Sequence, residues 1–426
     1  MGVKAGFKQT EVGVIPEDWD VFSLGALCSS IVDGTHFTPK YVDSGVPFYS
    51  VENVTADDFE NTKFITEAEH AKLIKRCRPE HGDILMTRIT AGIVGDTRII
   101  DWDVNASIYV SLALLKIKEN THPEYLYRYT KYQNFLLDVE RRALVNATPK
   151  KINMGDISAI PIPVPRSKAE QEAIAEALSD ADALIASLEQ LLTKKRHIKQ
   201  GAMQDLLTGK KRLPGFGGKW ETQTLESLFN FSGGFTASRD QLSSDGHCYL
   251  HYGDIHTSNK NFINVRAEQA DIPKLDVPLK AVSAGSLLAD GDVVFVDASE
   301  DDEGVSKHIV VINSDAAPYI SGLHTIVAKP KTALLEKEYL RHCFQTQAVK
   351  TQFRFYAVGT KVFGVSKTNI AKIVLPVPDK DEQIAIAATL SDMDAEIATL
   401  EAKLAKARQI KQGMMQELLT GRIRLI

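Results

Sequence analysis

The chain has 426 residues, room for two or three domains. Its 44% hydrophobic and 25% charged content is ordinary for a globular protein, and no apolar run approaches the roughly 18 residues of a membrane span. A net charge of −5 argues against a protein that coats nucleic acid without selectivity; local basic patches are still compatible with it, because phosphate affinity follows local potential.

The opening segment, MGVKAGFKQTEVG, lacks the apolar stretch of an export signal, so a cytoplasmic protein is expected. Cys28, Cys77, Cys248 and Cys343 are far apart and form no C-x-x-C pair, which reads as free thiols in a reducing compartment.

Residues 1–160 form a first block of Val-, Ile-, Phe- and Tyr-rich runs broken by Gly, Asp and Asn, the pattern of strands and turns. GVPFYSVENV at 45–54 and GDILMTRITAGIVGD at 82–96 are examples, and one helix is expected near Pro123–Arg142. If this block binds DNA, base readout needs donors and acceptors on loops. The loop Asp33–Tyr41 is the best candidate: Gly34 and Pro39 shape the turn, while Thr35, His36, Thr38, Lys40 and Tyr41 supply polar groups. Arg88 and Thr90 follow an apolar strand and are expected to face the same groove. Lys150 and Lys151, in a loop with Asn146 and Thr148, suit phosphate contacts.

The first block closes on a proline-alternating exit, IPIPVP at 160–165, which biases the backbone to extended conformations and reads as a spacer before the helix of residues 161–213. Ile174, Leu178, Ala181, Ile185, Leu188 and Leu192 then alternate steps of four and three, a coiled-coil seam.

Residues 214–373 form a second block, with strands expected at GDVVFVDAS (291–299) and HIVVIN (308–313) and a helix near Leu335–Phe355. It echoes the first block: Trp220, Leu225 and Leu228 repeat Trp19, Leu24 and Leu27. Its candidate DNA contacts are Thr236, Ser238 and Arg239, then His251, Tyr252, Lys307, His308, Thr360, Lys361 and Lys367. His247, His251 and His256 lack partner cysteines or a helical H-E-x-x-H frame, so no metal is expected. The acidic run Glu300–Glu303 reads as a solvated loop.

Residues 374–426 repeat the exit and the helix. Glu170–Leu213 and Glu382–Leu425 align without a gap, and 29 of 44 positions are identical. The seam recurs at Ile386, Leu390, Met393, Ile397, Leu400 and Leu404. Two such helices, each about 57 Å long at 1.5 Å per residue, should bury each other's apolar stripes. Both are acidic in the N-terminal half (Glu170, Glu176, Asp182; Glu382, Asp394, Glu396) and basic in the C-terminal half (Lys195, Arg196, Lys199; Lys406, Arg408, Lys411). Antiparallel pairing sets acid against base throughout. Gln171, Gly201, Met203 and Leu206 recur as Gln383, Gly413, Met415 and Leu418, positions for either internal packing or partner contact. A glycine inside a helix costs up to about 1 kcal/mol against alanine, so keeping it twice needs a reason. The chain therefore reads as block, helix, block, helix, with a pseudo-dyad that suits a target with two separated half-sites on duplex DNA.

The opening KQTEVGVIPEDWDVFSLG, the segment DGTHFTPKY…GVPFYSVENV, two Gly-Asp-apolar strands, two proline exits followed by EQ-x-x-I, and two LLTG helix ends occur together and in order. In these features the chain resembles, over essentially its full length, the specificity subunits of type I restriction–modification systems. The resemblance implies an α/β (α+β) fold: two target recognition domains with small curved sheets, separated by two long antiparallel coiled-coil helices, pseudo-twofold symmetric. Each domain would read one half of a split double-stranded DNA target. The helices would set the gap and dock two methyltransferase subunits, which carry S-adenosylmethionine and methylate adenine at N6; motor-nuclease subunits would add restriction. The second block has SGGFTASRD where the first has DGTHFTPKY, a difference that suits two readers of different sequences.

No G-x-x-x-x-G-K-[ST] loop, G-x-G-x-x-G motif or Asn-Pro-Pro-aromatic signature is present, so a non-catalytic chain without its own cofactor, membrane segment or metal is expected. The alternative is a symmetric protein-interaction scaffold that binds no DNA.

Overall fold

The computed structural model describes residues 5–144, 146–258, 260–299, 304–359 and 362–425. The chain divides into two compact units, one of residues 1–189 and 402–426, the other of residues 190–401. The two long helices, Lys168–Leu206 and Lys380–Leu418, are 39 residues each and contribute to both units.

In the first unit an antiparallel sheet runs in the order Cys28–Asp33, Leu112–Ile117, Ile84–Thr87, Thr97–Ile99. All four residues of Ile84–Thr87 are buried, because side chains alternate between two covered faces. Ile84 and Met86 join Trp19, Tyr125, Phe135 and Val139 in the main core; Leu85 faces a smaller cluster with Tyr49, Val54 and Ile108. A second patch pairs Val46–Tyr49 with Ser107–Ile108 in parallel and with Lys63–Ile65 antiparallel.

The second unit repeats this scheme with more strands. Its five-stranded sheet runs Phe229–Gly233, Thr325–Pro330, Val293–Val296, His308–Ile312, Phe262–Asn264. Val293 and Phe295 face the core that holds Phe344 and Phe353; Val294 and Val296 face the opposite cluster.

The proline exits are more than spacers. Pro161–Pro165 pairs antiparallel with Trp19–Ser23, and Val374–Val377 pairs with Glu221–Thr224. Both ladders are two-stranded, so a proline that lacks an N–H is tolerated on their outer edge. The single helix expected in each block is two: Pro123–Thr130 and Gln133–Arg142, then Lys337–Cys343 and Gln347–Tyr356.

Within each unit the long helices run antiparallel. In the first unit Lys411 pairs with Asp182, Arg408 with Glu189 and Arg424 with Glu170, so one sequence rises as the other falls. In the second unit Arg212 pairs with Glu382, Lys199 with Asp394, Lys195 with Glu396 and Arg196 with Glu401. Acid meets base in the sense that the charge gradient requires.

The ends of the helices belong to the domain cores. Ile174, Leu178, Leu418 and Leu419 are buried with Trp19 and Tyr125; Leu206, Leu207, Ile386 and Leu390 are buried with Leu225 and Tyr339. Of the middle seam residues, Leu192, Leu400 and Leu404 are buried, and Ile185, Leu188 and Ile397 are half-buried.

Candidate nucleic-acid interface

In the first unit the loop after Cys28–Asp33 is fixed by a close backbone approach. Thr35 N–H donates to the Ile108 carbonyl at 3.1 Å, and Val110 N–H donates to the Thr35 carbonyl at 3.0 Å. A Cβ on Gly34 would lie 2.0 Å from the Ile108 oxygen, so only glycine fits there. Thr35 is consequently buried in this bridge. His36, Thr38 and Lys40 are exposed, and Thr38 Oγ1 lies 3.4 Å from the Tyr109 hydroxyl. Tyr41 packs on Phe48 and lies under the Lys63 ammonium, 5.0 Å from ring centre to nitrogen.

Asp33 gathers three basic side chains beside this loop. Its buried carboxylate accepts from His36 Nε2 at 2.9 Å, Arg76 Nη2 at 2.5 Å and Arg88 Nη1 at 2.9 Å. Arg88 does not face a groove: it is 8% exposed, and also donates to the Val110 carbonyl at 3.2 Å. A buried guanidinium is retained when its donors find partners, and here Nε and Nη1 are bonded within the chain. Thr90 is turned inward as well, its hydroxyl accepting from Gly92 N–H at 2.9 Å. The two outward donors on Asp33 are His36 and Arg76, with side chains 62% and 59% exposed. Arg76 was not visible as a candidate in sequence, because nothing local ties it to Asp33, 43 residues away. Lys150 and Lys151 form an exposed two-residue strand paired with Ile89–Thr90.

The second unit repeats the loop anchor and changes its chemistry. A Cβ on Gly234 would lie 1.6 Å from the Gly322 carbonyl oxygen, and Phe235 N–H donates to the Ser321 carbonyl at 2.7 Å. Thr236 and Ser238 are exposed, and Ser238 starts a short turn with Gln241. Arg239 Nη2 donates to Asp254 Oδ1 at 2.5 Å and to His251 Nδ1 at 3.3 Å. His251 Nδ1 also accepts from Gly253 N–H at 3.0 Å, capping the helix Tyr252–Thr257. An accepting Nδ1 places the ring proton on Nε2. Burial, then the nearby Arg239, holds the imidazole below its ordinary pKa, which favours this neutral form.

The His251 ring stacks on Tyr252 with centroids 4.6 Å apart, and His324 meets the same tyrosine edge-on at 5.4 Å. His324 has φ 60°, a left-handed conformation uncommon outside glycine. Tyr252 and His324 line a cavity of about 550 Å³ with His256, Ala298, Ser299 and Lys307. The sequence reading did not select His324; a strained loop histidine leaves no local pattern. Lys367 is exposed at the start of a short helix, whereas His308 is buried inside the sheet. Thr360, Lys361 and the run Glu300–Glu303 lie outside the described residues.

Each domain thus presents an arginine held by a carboxylate with a histidine beside it: Arg76 and His36 both bond Asp33, whereas Arg239 bonds Asp254 and its own neighbour His251. The positions do not correspond, since strand register matches Asp33 to Gly233. Exposed guanidinium groups held in place by an acid suit phosphate oxygens and guanine edges.

The helix residues divide by role. Gln171 accepts from His122 N–H at 2.8 Å and donates to the Pro165 carbonyl at 2.9 Å; Gln383 accepts from Glu336 N–H at 2.8 Å and donates to the Pro378 carbonyl at 2.8 Å. These buried amides pin each long helix to the start of a domain helix. Leu178, Leu390, Leu206 and Leu418 fill the cores, and Met203 and Met415 pack against them. Gly201 and Gly413 are exposed, and a Cβ at either would meet nothing within 4 Å. Packing within this chain therefore gives no reason for glycine at the two places.

Residues 16–196 and 217–409 match the family model for the type I restriction modification DNA specificity domain. The chain belongs to that family. It is 24% identical over 442 residues to a protein of Methanocaldococcus jannaschii provisionally assigned as the MjaX type I restriction enzyme specificity subunit, covering 98% of this chain and 97% of the relative. The MjaVIII specificity subunit of the same organism is 22% identical over 438 residues, covering 98% and 96%. The fold is also that of the S subunit from M. genitalium, with a TM-score of 0.57, 14% identity and 98% of both chains covered. A chain from a structure on complex assembly and conformational transition of the type I R-M system gives a TM-score of 0.57 at 15% identity, covering 96% of this chain and 99% of that one. No described helix is long and apolar enough to cross a membrane.

Proposed function

We propose that this chain is the DNA-reading subunit of a cytoplasmic type I restriction–modification complex, non-catalytic itself. Each domain reads one half of a bipartite duplex target. The first uses the His36–Arg76 face on Asp33, with Thr38, Lys40 and the Lys150–Lys151 strand. The second uses Arg239, His251 and Tyr252. The paired helices set the unread gap and carry two methyltransferase subunits, which bring S-adenosylmethionine; a motor-nuclease subunit completes restriction. Gly201 and Gly413, open on this chain's surface, suit close approach by those partners.

The observation that carries this reading is that one family model matches twice, once over each half of the chain. Within each match lies a glycine-anchored loop and an acid-held arginine with a histidine next to it. The test is co-expression with a methyltransferase subunit of the same system, followed by sequencing of N6-methylated adenines. A split recognition sequence is expected, and replacing residues 214–373 with the second domain of another family member should change one half of it. Methylation of a contiguous site, or a change in both halves, would overturn the two-reader scheme. A chain that binds partner proteins and never DNA would establish the scaffold alternative.

A further inference from the structure

We infer that the second domain holds one DNA backbone phosphate in a cleft between Lys260, Lys307 and Lys350, beside the buried edge of His308. The inference rests on the DNA-reading role proposed above and names a contact within it.

The cleft has a volume of about 330 Å³, and no acid is among the described residues that line it. Its three lysines arrive from separate segments: Lys260 precedes Phe262–Asn264, Lys307 precedes His308–Ile312, and Lys350 lies on Gln347–Tyr356. Lys260 is steadied by Glu268 Oε2 at 2.8 Å, and Lys307 donates to the His256 carbonyl. Lys350 makes no ion pair with another described residue. Glu268 neutralises Lys260, which leaves Lys307 and Lys350 at the opening without an acid partner among the described residues, a local positive charge that favours an anion.

His308 forms part of the wall of the same cleft. It is 6% exposed; Nδ1 donates to the Ser306 carbonyl at 3.2 Å, and the buried Nε2 has no partner. Burial is the main reason the ring is held neutral, with a smaller push from Lys350. A neutral ring with its proton on Nδ1 offers a lone pair at Nε2, and buried polar atoms ordinarily find a partner.

The first domain shows what the same place looks like when it is closed. Strand register makes Asp96 the counterpart of Lys307 and Thr97 the counterpart of His308. The Gln171–His122 and Gln383–Glu336 bonds align the following helices, making Lys131 the counterpart of Gln345. In the first domain Lys131 bonds Asp96 at 2.9 Å, and the Thr97 and Thr130 hydroxyls meet at 2.8 Å. An internal ion pair there is replaced by an open cleft with a lysine in the acid's position. Lys307 also lines the cavity of Tyr252 and His324, so the cleft adjoins the face proposed to read bases. That adjacency favours a phosphate of the bound duplex over a free anion.

The experiment measures binding of the full-length chain with its methyltransferase subunits to a duplex carrying its methylated target, from 50 to 300 mM salt. The Lys307→Ala/Lys350→Ala double variant should bind about tenfold more weakly at 150 mM, and its log–log salt slope should fall by about 1, the value for one lost phosphate contact. Neutral methylphosphonates are then placed one at a time along the half-site of the second domain. One position should weaken the unaltered protein by a similar factor and leave the double variant unaffected. The inference fails if the double variant keeps the parent's slope, if it loses thermal stability with no loss of binding, or if inorganic pyrophosphate stabilises the protein while no methylphosphonate position matters. An unaltered protein that fails to bind any duplex would instead sink the DNA-reading role, before any variant is compared.

Discussion

Arg424 closes on Glu170 across 254 residues of sequence, Nη2 to Oε2 at 2.8 Å, and its guanidinium also grips Asp18. Arg212 and Glu382 repeat the pair in the second unit, where Trp220 Nε1 adds a bond to Glu382 at 2.8 Å. Glu170 and Glu382 are 3% and 1% exposed, so each buried carboxylate depends on its arginine. The repeated LLTG-x-x-R helix end and the repeated Glu-Gln helix start are thus two halves of one clamp. The glutamate receives the arginine, and the glutamine pins the neighbouring helix.

Removing Arg424 leaves Glu170 buried without its cation. Breaking a buried pair costs about 3–5 kcal/mol, and partial exposure of Arg424 places this case near about 2–3 kcal/mol. Arg424→Ala should lower the urea midpoint accordingly. Arg424→Lys should recover less than half, because a single ammonium cannot fork across two carboxylates. The bond from Arg424, chiefly, holds the Asp18 carboxyl below its ordinary value of 3.8. A depressed carboxyl contributes above its unfolded value and loses that contribution as pH falls through the folded value. Asp18→Asn should therefore cost stability at pH 7 and cost less at pH 2.5. Equal losses at both pH values would show that Asp18 acts through packing.

The long helices were legible because their information is local. A step of three and four residues and a charge gradient are both written in consecutive sequence, and the ion pairs Lys411–Asp182 and Lys199–Asp394 follow from them. The glycine-anchored loop at Gly34 was also legible, through its turn residues. What a polar residue does at long range was not. Arg88 reads as an exposed donor until Asp33 is found beside it, and Gln171 reads as a contact residue until the His122 amide is found. Identity between repeats marks a position as constrained; it cannot tell a core from a surface.

The two buried histidines make the second unit sensitive to mild acid. Burial is the leading cause that lowers His308 and His342 to about 4, and both ring nitrogens of His342 lack partners. Between the ordinary value near 6.5 and about 4, the unfolded chain takes up protons that the folded chain refuses. Stability is then complete above pH 6.5 and declines as pH falls toward 4. Scanning calorimetry from pH 7.5 to 4.5 should show the second unit losing melting temperature, and His342→Leu should flatten the decline. An unchanged slope in that variant would assign the acid sensitivity to carboxylates.

The thiols give an independent probe of order in the first unit. Burial pushes Cys28 and Cys77 up to about 12, and the described cysteines are all free and buried. Only the thiolate attacks a disulfide reagent, so both should stay silent at pH 8 in the folded protein. They should react together as the first unit unfolds in urea, and Arg424→Ala should advance that reaction to lower urea. Rapid labelling of Cys77 without denaturant would mean that its cluster opens in the native state.

The glycine anchors connect fold to recognition most directly. Alanine at Gly34 places a methyl carbon 2.0 Å from the Ile108 carbonyl oxygen, and alanine at Gly234 places one 1.6 Å from the Gly322 oxygen. Neither obstacle is a flexible side chain, so the loop must move outward and break the Thr35 or the Phe235 backbone bond. The displaced loop carries His36 and Thr38 in the first domain, and Thr236 and Arg239 in the second. Each substitution should cost about 1–3 kcal/mol in stability. Each should also weaken DNA binding at least tenfold while the complex still assembles, because the long helices are untouched. Pairing either variant with base changes in one half-site should identify which half its domain reads: the domain that has lost its loop no longer distinguishes them. If Gly34→Ala and Gly234→Ala blurred discrimination at the same half-site, the assignment of one reader to each half would be wrong.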